Sequence, residues 1–194
     1  MTWKGGVNAF DFAYGVAERC LRNSLPRRWV HVQGVAKRAG LSRSLFSSED
    51  GEVLVAAAML HDVGYSPGLV NSGFHPLDGA LYLQSLGCPE RICALVAHHS
   101  CAYKEAKLRQ LTTELAVWED EDTDVRDALW WADMTTTPDG YPTNVASRIR
   151  EIQERYGPTD LVTAFISEAK SELVAAVERT EERLRVAGLG HLAK

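Results

Sequence analysis

Five histidines and two aspartates are the residues best equipped for chemistry: His31, the adjacent pair His61-Asp62, His75, the adjacent pair His98-His99, and Asp133. Imidazole nitrogen and carboxylate oxygen together suit Mn, Fe, Zn and similar divalent ions. No cysteine joins the set, which disfavours a thiolate zinc knuckle. The stretch AAAMLHDVGY poses the question most sharply, because an apolar helix runs straight into His61 and Asp62. An unpaired charge buried there would cost several kcal/mol, roughly. Something must neutralise it, and a metal ion would do so. Taken singly, each histidine also has a plainer reading as a hydrogen-bonded structural group, and His75 could cap the helix that Pro76 begins. The sixth, His191, falls in the tail and is read as solvent-facing.

These residues must be positioned by helices. VNAFDFAYGVAERCLRN carries apolar residues at helical spacing. LPRRWVHVQGVAKRAG has Pro26 in its first turn and stops at Gly40. SSEDGEVLVAAAMLHDVG opens with Ser and acids and ends at Gly64. HPLDGALYLQSLG, PERICALVAHHS, DTDVRDALWWADM, NVASRIREIQERYG and the long run from 160 to about 187 complete the set. No alternating strand pattern competes. The expected fold is all-α, a compact non-repeat domain of roughly seven to nine helices spanning 1–194. GYSPGLVNSGF and TTTPDGYPTN read as surface loops. The long final helix could cover the core or make a homo-oligomer contact.

Helical phase gathers the candidates. His61 shares a face with Leu54, Ala57 and Ala58, and His31 lies near the stripe Val32, Val35, Ala36 and Ala39. His99 continues Ile92, Leu95 and Val96, while His98 follows Arg91, Ala94 and Leu95. Asp133 falls four residues after Leu129. All seven groups are expected to face one interior, which a shared metal centre would explain.

The order His31, His61-Asp62, Asp133 resembles the signature of the HD-domain superfamily of metal-dependent phosphohydrolases, across roughly residues 25–155. FHPLDGALYL and VAHHS resemble the intervening histidine motifs of its two-metal subfamilies. The resemblance implies that His31, His61, Asp62 and Asp133 hold a first ion. Asp62 would bridge to a second, held by His75 and His98, with His99 replacing or assisting His98. Two divalent ions are implied, Mn or Fe first, with Zn, Ni, Co or Mg as alternatives. Asp62 and His61 stand at the catalytic centre of this reading, and the nucleophile is metal-activated water. The cyclic-dinucleotide branch differs: its double histidine continues through an acid to D-G-x-G-Y-P, whereas HHSCAYKEA follows here. Some members of that branch also place Glu one turn before the first histidine, where this chain has Arg27.

The implied activity is hydrolysis of a phosphate ester, of a nucleotide or a small phosphorylated metabolite. Two other functions fit the ligand set: a mixed-valent di-iron oxygenase on the same scaffold, and a non-catalytic nucleotide sensor. Lys104, Arg109 and Arg148 are candidates for gripping phosphate. Trp130, Trp131, Tyr65 and Tyr141 are candidates for stacking a base. The net charge of -5 argues against a general nucleic-acid partner. No run approaches a membrane span or a signal peptide, and Cys20, Cys88, Cys93 and Cys101 form no C-x-x-C. A cytoplasmic protein with reduced thiols is expected.

Overall fold

The computed structural model describes residues 8–193. Ten α-helices occur among them, and no strand; the one β-bridge joins Thr136 and Pro142. The helices are α1 (Ala9–Leu21), α2 (Pro26–Ser42), α3 (Ser48–Leu60), α4 (His75–Ser85) and α5 (Glu90–Ala97). They continue as α6 (Ala102–Arg109), α7 (Thr112–Leu115), α8 (Asp124–Met134), α9 (Val145–Tyr156) and α10 (Leu161–Val186). The all-α expectation holds. The excess over the expected helix count lies in α6 and α7, short pieces whose sequence carries little apolar periodicity. The expected first helix began at Val7, which lies outside the described residues.

Most starts follow local capping chemistry. The side chains of Asn8, Ser47, Thr123, Asn144 and Asp160 each accept a backbone N–H from the first turn of the helix they precede. Pro begins α2, where its missing N–H is no loss. Helix α3 is the centre of the bundle. It is apolar on nearly every side, with Val53, Leu54, Ala56, Ala57, Ala58, Met59 and Leu60 all buried. It packs on α1, α2, α5 and α8. Its C-terminal end therefore delivers His61 and Asp62 into the interior.

Helix α10 lies over α8 and α9. Its buried stripe includes Phe165, Ile166, Ala169, Leu173, Ala176 and Val177, so this helix covers the core. Asp127 on α8 anchors it, accepting bonds from Arg179 Nε and Nη2, each at 2.7 Å, and from Arg183 Nη1 at 3.2 Å.

Glycine allows the closest approach in the bundle. A Cβ on Gly64 would lie 2.0 Å from the His75 carbonyl oxygen and 2.6 Å from the Gly79 nitrogen. The turn after His61-Asp62 thus sits directly against the first turn of α4, and this contact brings His75 to Asp62. Gly64→Ala is expected to destabilise the fold by about 1–3 kcal/mol and to lower metal content by displacing His75. Thermal melting and metal analysis of that variant check both effects, and unchanged values in both would refute the positioning role.

All four cysteines are buried and free. No helix among the described residues is long and apolar enough to cross a membrane.

Candidate metal centre

The interior gathers the candidates into two sets joined at Asp62. In the first, His31 Nε2 is 3.2 Å from Asp133 Oδ1 and 3.8 Å from Asp62 Oδ2. His61 Nε2 is 3.4 Å from Asp62 Oδ2 and 3.8 Å from Asp133 Oδ1. In the second, His75 Nε2 is 3.3 Å and His99 Nε2 3.9 Å from Asp62 Oδ1. The two nitrogens lie 3.1 Å from each other. The Asp62 carboxylate therefore turns one oxygen to each set.

Three of these imidazoles have their other nitrogen on a backbone carbonyl. His31 Nδ1 meets Thr137 O at 3.0 Å, His61 Nδ1 meets Ala58 O at 2.7 Å, and His99 Nδ1 meets Val96 O at 2.6 Å. A carbonyl only accepts, so each Nδ1 carries a proton and each Nε2 is turned inward; His31 Nε2 meets the acceptor Asp133 Oδ1 at 3.2 Å, a contact that needs a proton or a cation between the two. His61 Nε2 has no hydrogen-bond partner although it is wholly buried. An orphaned lone pair between two carboxylates is a poor arrangement for a structural histidine, and a good one for a ligand. The residues present therefore fit divalent cations: His31, His61 and Asp133 as one group, and Asp62, His75 and His99 as the other.

Second contacts fix the carboxylates. Ser100 Oγ donates to Asp133 Oδ2 at 2.6 Å, which leaves Oδ1 facing His31. Ser100 and Cys101 both have positive φ, 49° and 61°, a conformation costly for such residues. This turn sends His99 to the second group and Ser100 to Asp133. Arg28 Nη1 donates to Asp62 Oδ2 at 2.6 Å. Its guanidinium sits 3.7 Å from the centre of the Tyr65 ring, which in turn stacks on His75 at 3.9 Å. The loop at 135–144 docks on α2 where Gly34 and Gly140 touch. That docking supplies the Thr137 carbonyl to His31. Thr135 and Thr136 are buried, so this loop is only partly a surface connection.

Charge balance follows from these contacts. Burial works against the Asp62 carboxylate, but Arg28 and His61 outweigh it and hold its pKa well below the usual range. Burial likewise opposes Asp133, and the bond from His31 with the nearby His61 brings it down. Burial lowers His31. Burial, with His75 and His61 adding to it, pushes His99 down to about 3. His61 feels burial as a lowering influence too, yet Asp62 and Asp133 leave it raised.

The signs give a pH dependence for the metal-free protein. The unfolded chain protonates its histidines near pH 6.5, roughly, whereas folded His31 and His99 resist protonation. Stability from these two is full above that pH and is lost as pH falls toward their folded values. His61 acts oppositely: its contribution is full below its unfolded pKa and fades as pH rises through its raised folded one. With two groups against one, the metal-free protein should melt at a lower temperature near pH 5, roughly, than near pH 7. The drop should shrink in His99→Gln, and an identical drop in that variant would refute the assignment.

Not every expected residue joins the site. His98 turns away: its Nε2 bonds to the Trp118 carbonyl at 2.8 Å. Its own carbonyl accepts Trp130 Nε1 at 3.1 Å, so His98 ties α5 to its neighbours and His99 takes the inward place. The reason is the break in the helix, since α5 ends at Ala97 and the phase of its apolar stripe no longer applies. Lys104 lies 3.6 Å from Glu172, and Arg109 braces buried Glu105 at 2.7 Å. Neither lines the cavity over the site, whereas Arg148 and Glu105 do. Trp130 and Trp131 are fully buried, with no face free for a base, and Tyr141 is 70% exposed. Of the aromatic candidates only Tyr65 lines the cavity. Arg28 and Ser100 escaped the sequence reading, although Arg28 stands three residues before His31 on the same helical face.

The cavity has a volume of about 70 Å³. Its lining combines His31, His75, His99, Asp62, Asp133, Arg28 and Arg148 with the apolar Met134, Ile152, Val162, Phe165 and Ile166.

An all-helical bundle with two His/Asp groups at its centre that could hold metal ions is the arrangement of an HD-type protein. The family model for the HD domain matches residues 28–129, and the chain belongs to the HD domain family. Asp133 lies just past that match and is joined to it by geometry. Searches of curated proteins and of solved structures return no match.

Proposed function

We propose that this protein is a metal-dependent phosphohydrolase that cleaves a small phosphate ester with water. The observation that carries the reading is the division of Asp62, with Oδ2 toward His31 and His61 and Oδ1 toward His75 and His99. A carboxylate so placed is suited to bridging two cations. A pair of divalent ions supplies Lewis acidity toward a phosphoryl group and makes water more acidic.

The chain's own residues do the rest. His31, His61 and His99 turn Nε2 toward the site, each held by a carbonyl behind it at Nδ1. Ser100 fixes the Asp133 carboxylate by its Oδ2. Arg148 lines the cavity, with its Nη2 3.9 Å from Asp133 Oδ1 and its buried Nε without a partner. It is placed to orient an anionic group beside the first set of ligands. Met134, Ile152, Val162, Phe165 and Ile166 give the cavity an apolar part of its lining. Glu105 is buried in the cavity wall with one oxygen held by Arg109.

The test combines metal analysis of aerobically purified protein, electron paramagnetic resonance and a phosphate-release assay over a panel of phosphate esters. Manganese or a redox-silent ion with release of inorganic phosphate supports the reading. A coupled mixed-valent iron signal without phosphate release would replace it with oxygenase chemistry.

A further inference from the structure

A second cavity of about 270 Å³ opens beside the metal centre. The two share Arg28, His31, Arg148 and Arg155 as walls, so they adjoin at His31. Arg27 adds a fourth guanidinium to the second cavity, and no carboxylate lines it; Leu25, Pro26 and Pro138 supply much of the remaining wall. Four arginines around one hollow repel each other unless anions intervene.

The anions nearby do not suffice once the centre is loaded. Arg27 pairs with exposed Asp139 at 2.7 Å. Arg148 and Arg155 share a single carboxylate, Glu151, at 2.5 Å and 3.4 Å. Arg28 leans on Asp62, and Arg148 also approaches Asp133. Cations at the centre would draw on Asp62 and Asp133, and these two arginines would then be undercompensated. Arg148 is 5% exposed and already has a buried Nε with nothing to donate to. An anion in this hollow would offset the charge that these arginines gather around it.

We infer that the second cavity is a binding subsite for a second phosphate group, so that the substrate carries one phosphate at the metal centre and another among Arg27, Arg28, Arg148 and Arg155. The inference rests on the phosphohydrolase reading for the role of the first phosphate only. Arginine forks bind phosphate oxygens bidentately, and the rigid wall of Leu25, Pro26 and Pro138 limits the occupant's size.

The test uses matched non-hydrolysable probes, propane-1,3-bisphosphonate and propylphosphonate, titrated calorimetrically into manganese-loaded protein. Arg27→Gln and Arg155→Gln, singly and combined, remove charge from the subsite without touching a metal-ligand candidate. The bisphosphonate should bind about tenfold or more tightly than the monophosphonate. The double variant should bring the two within about twofold with metal content unchanged, and Arg27→Gln, at a residue that lines the second cavity alone, should leave monophosphonate affinity unchanged. Equal affinities in the parent protein, an advantage that survives in the double variant, or no measurable bisphosphonate binding would each overturn the subsite. Phosphate release from propyl phosphate and propane-1,3-diol bisphosphate is measured alongside. Variant-sensitive bisphosphonate binding with no release from either ester keeps the subsite and sinks the hydrolase. Release from both esters without the binding preference does the reverse.

Discussion

Asp62→Ala should lose most of its bound metal and reduce phosphate release by about a thousandfold or more, beyond the ten- to hundredfold typical of an outer partner of a metal ligand. The size of the effect follows from the position of this carboxylate. Its Oδ2 faces His31 and His61 while its Oδ1 faces His75 and His99. One substitution therefore removes a ligand from both groups and the negative charge between them. Alanine also strands Arg28, whose Nη1 is 2.6 Å from Oδ2. A lost buried partner can cost about 3–5 kcal/mol, so poor folding could imitate loss of metal. Asp62→Asn separates the two, because the amide keeps the volume and one acceptor for Arg28. Asp62→Asn should fold with native circular dichroism and still lose metal and turnover. Native folding with metal content and turnover near the parent's, in either variant, would refute the bridging role.

The core of this arrangement is legible in the sequence because it rests on local rules. Caps at Ser47 and Thr123 and the apolar density of 53–60 specify α3 and α8, and these two helices deliver His61, Asp62 and Asp133. Helical phase also places His31 correctly on α2. Phase fails where the helix stops. His98 and His99 follow the end of α5, and two positive-φ residues after them reset every direction. The choice between the two histidines depends on tertiary contacts, Trp118 and Trp130 holding one and Asp62 facing the other. Long-range partners were equally hidden. Nothing local announces that Thr137 would present a carbonyl to His31 across 106 residues of chain. Charged residues were hardest, since Lys104 and Arg109 look as suited to phosphate as Arg148 does. Only burial and placement separate them: Glu172 and Glu105 hold the first two away from the cavity, while Arg148, though paired with Glu151, lines it.

His75→Ala and His99→Ala should each keep about one metal ion per chain and lose about one, because both nitrogens serve the same half of the site. Their Nε2 atoms are 3.1 Å apart, and both face Asp62 Oδ1. Two imidazole nitrogens meeting beside a carboxylate oxygen need either a shared proton or a cation between them. If the occupant is a cation, removing one imidazole leaves two ligands, too few for tight retention against buffer. Turnover should then fall by about two orders of magnitude or more in each variant. The double variant should be little worse than either single, since groups that act as a unit are not additive. His98→Ala is the internal control. Its Nε2 bond to the Trp118 carbonyl should be lost at a cost of about 1 kcal/mol, lowering the melting temperature with metal stoichiometry intact. If His75 and His99 variants keep full metal content while His98→Ala loses an ion, the second set of ligands has been assigned to the wrong histidine. If all three keep full content, the centre holds its metal through His31, His61, Asp62 and Asp133 alone.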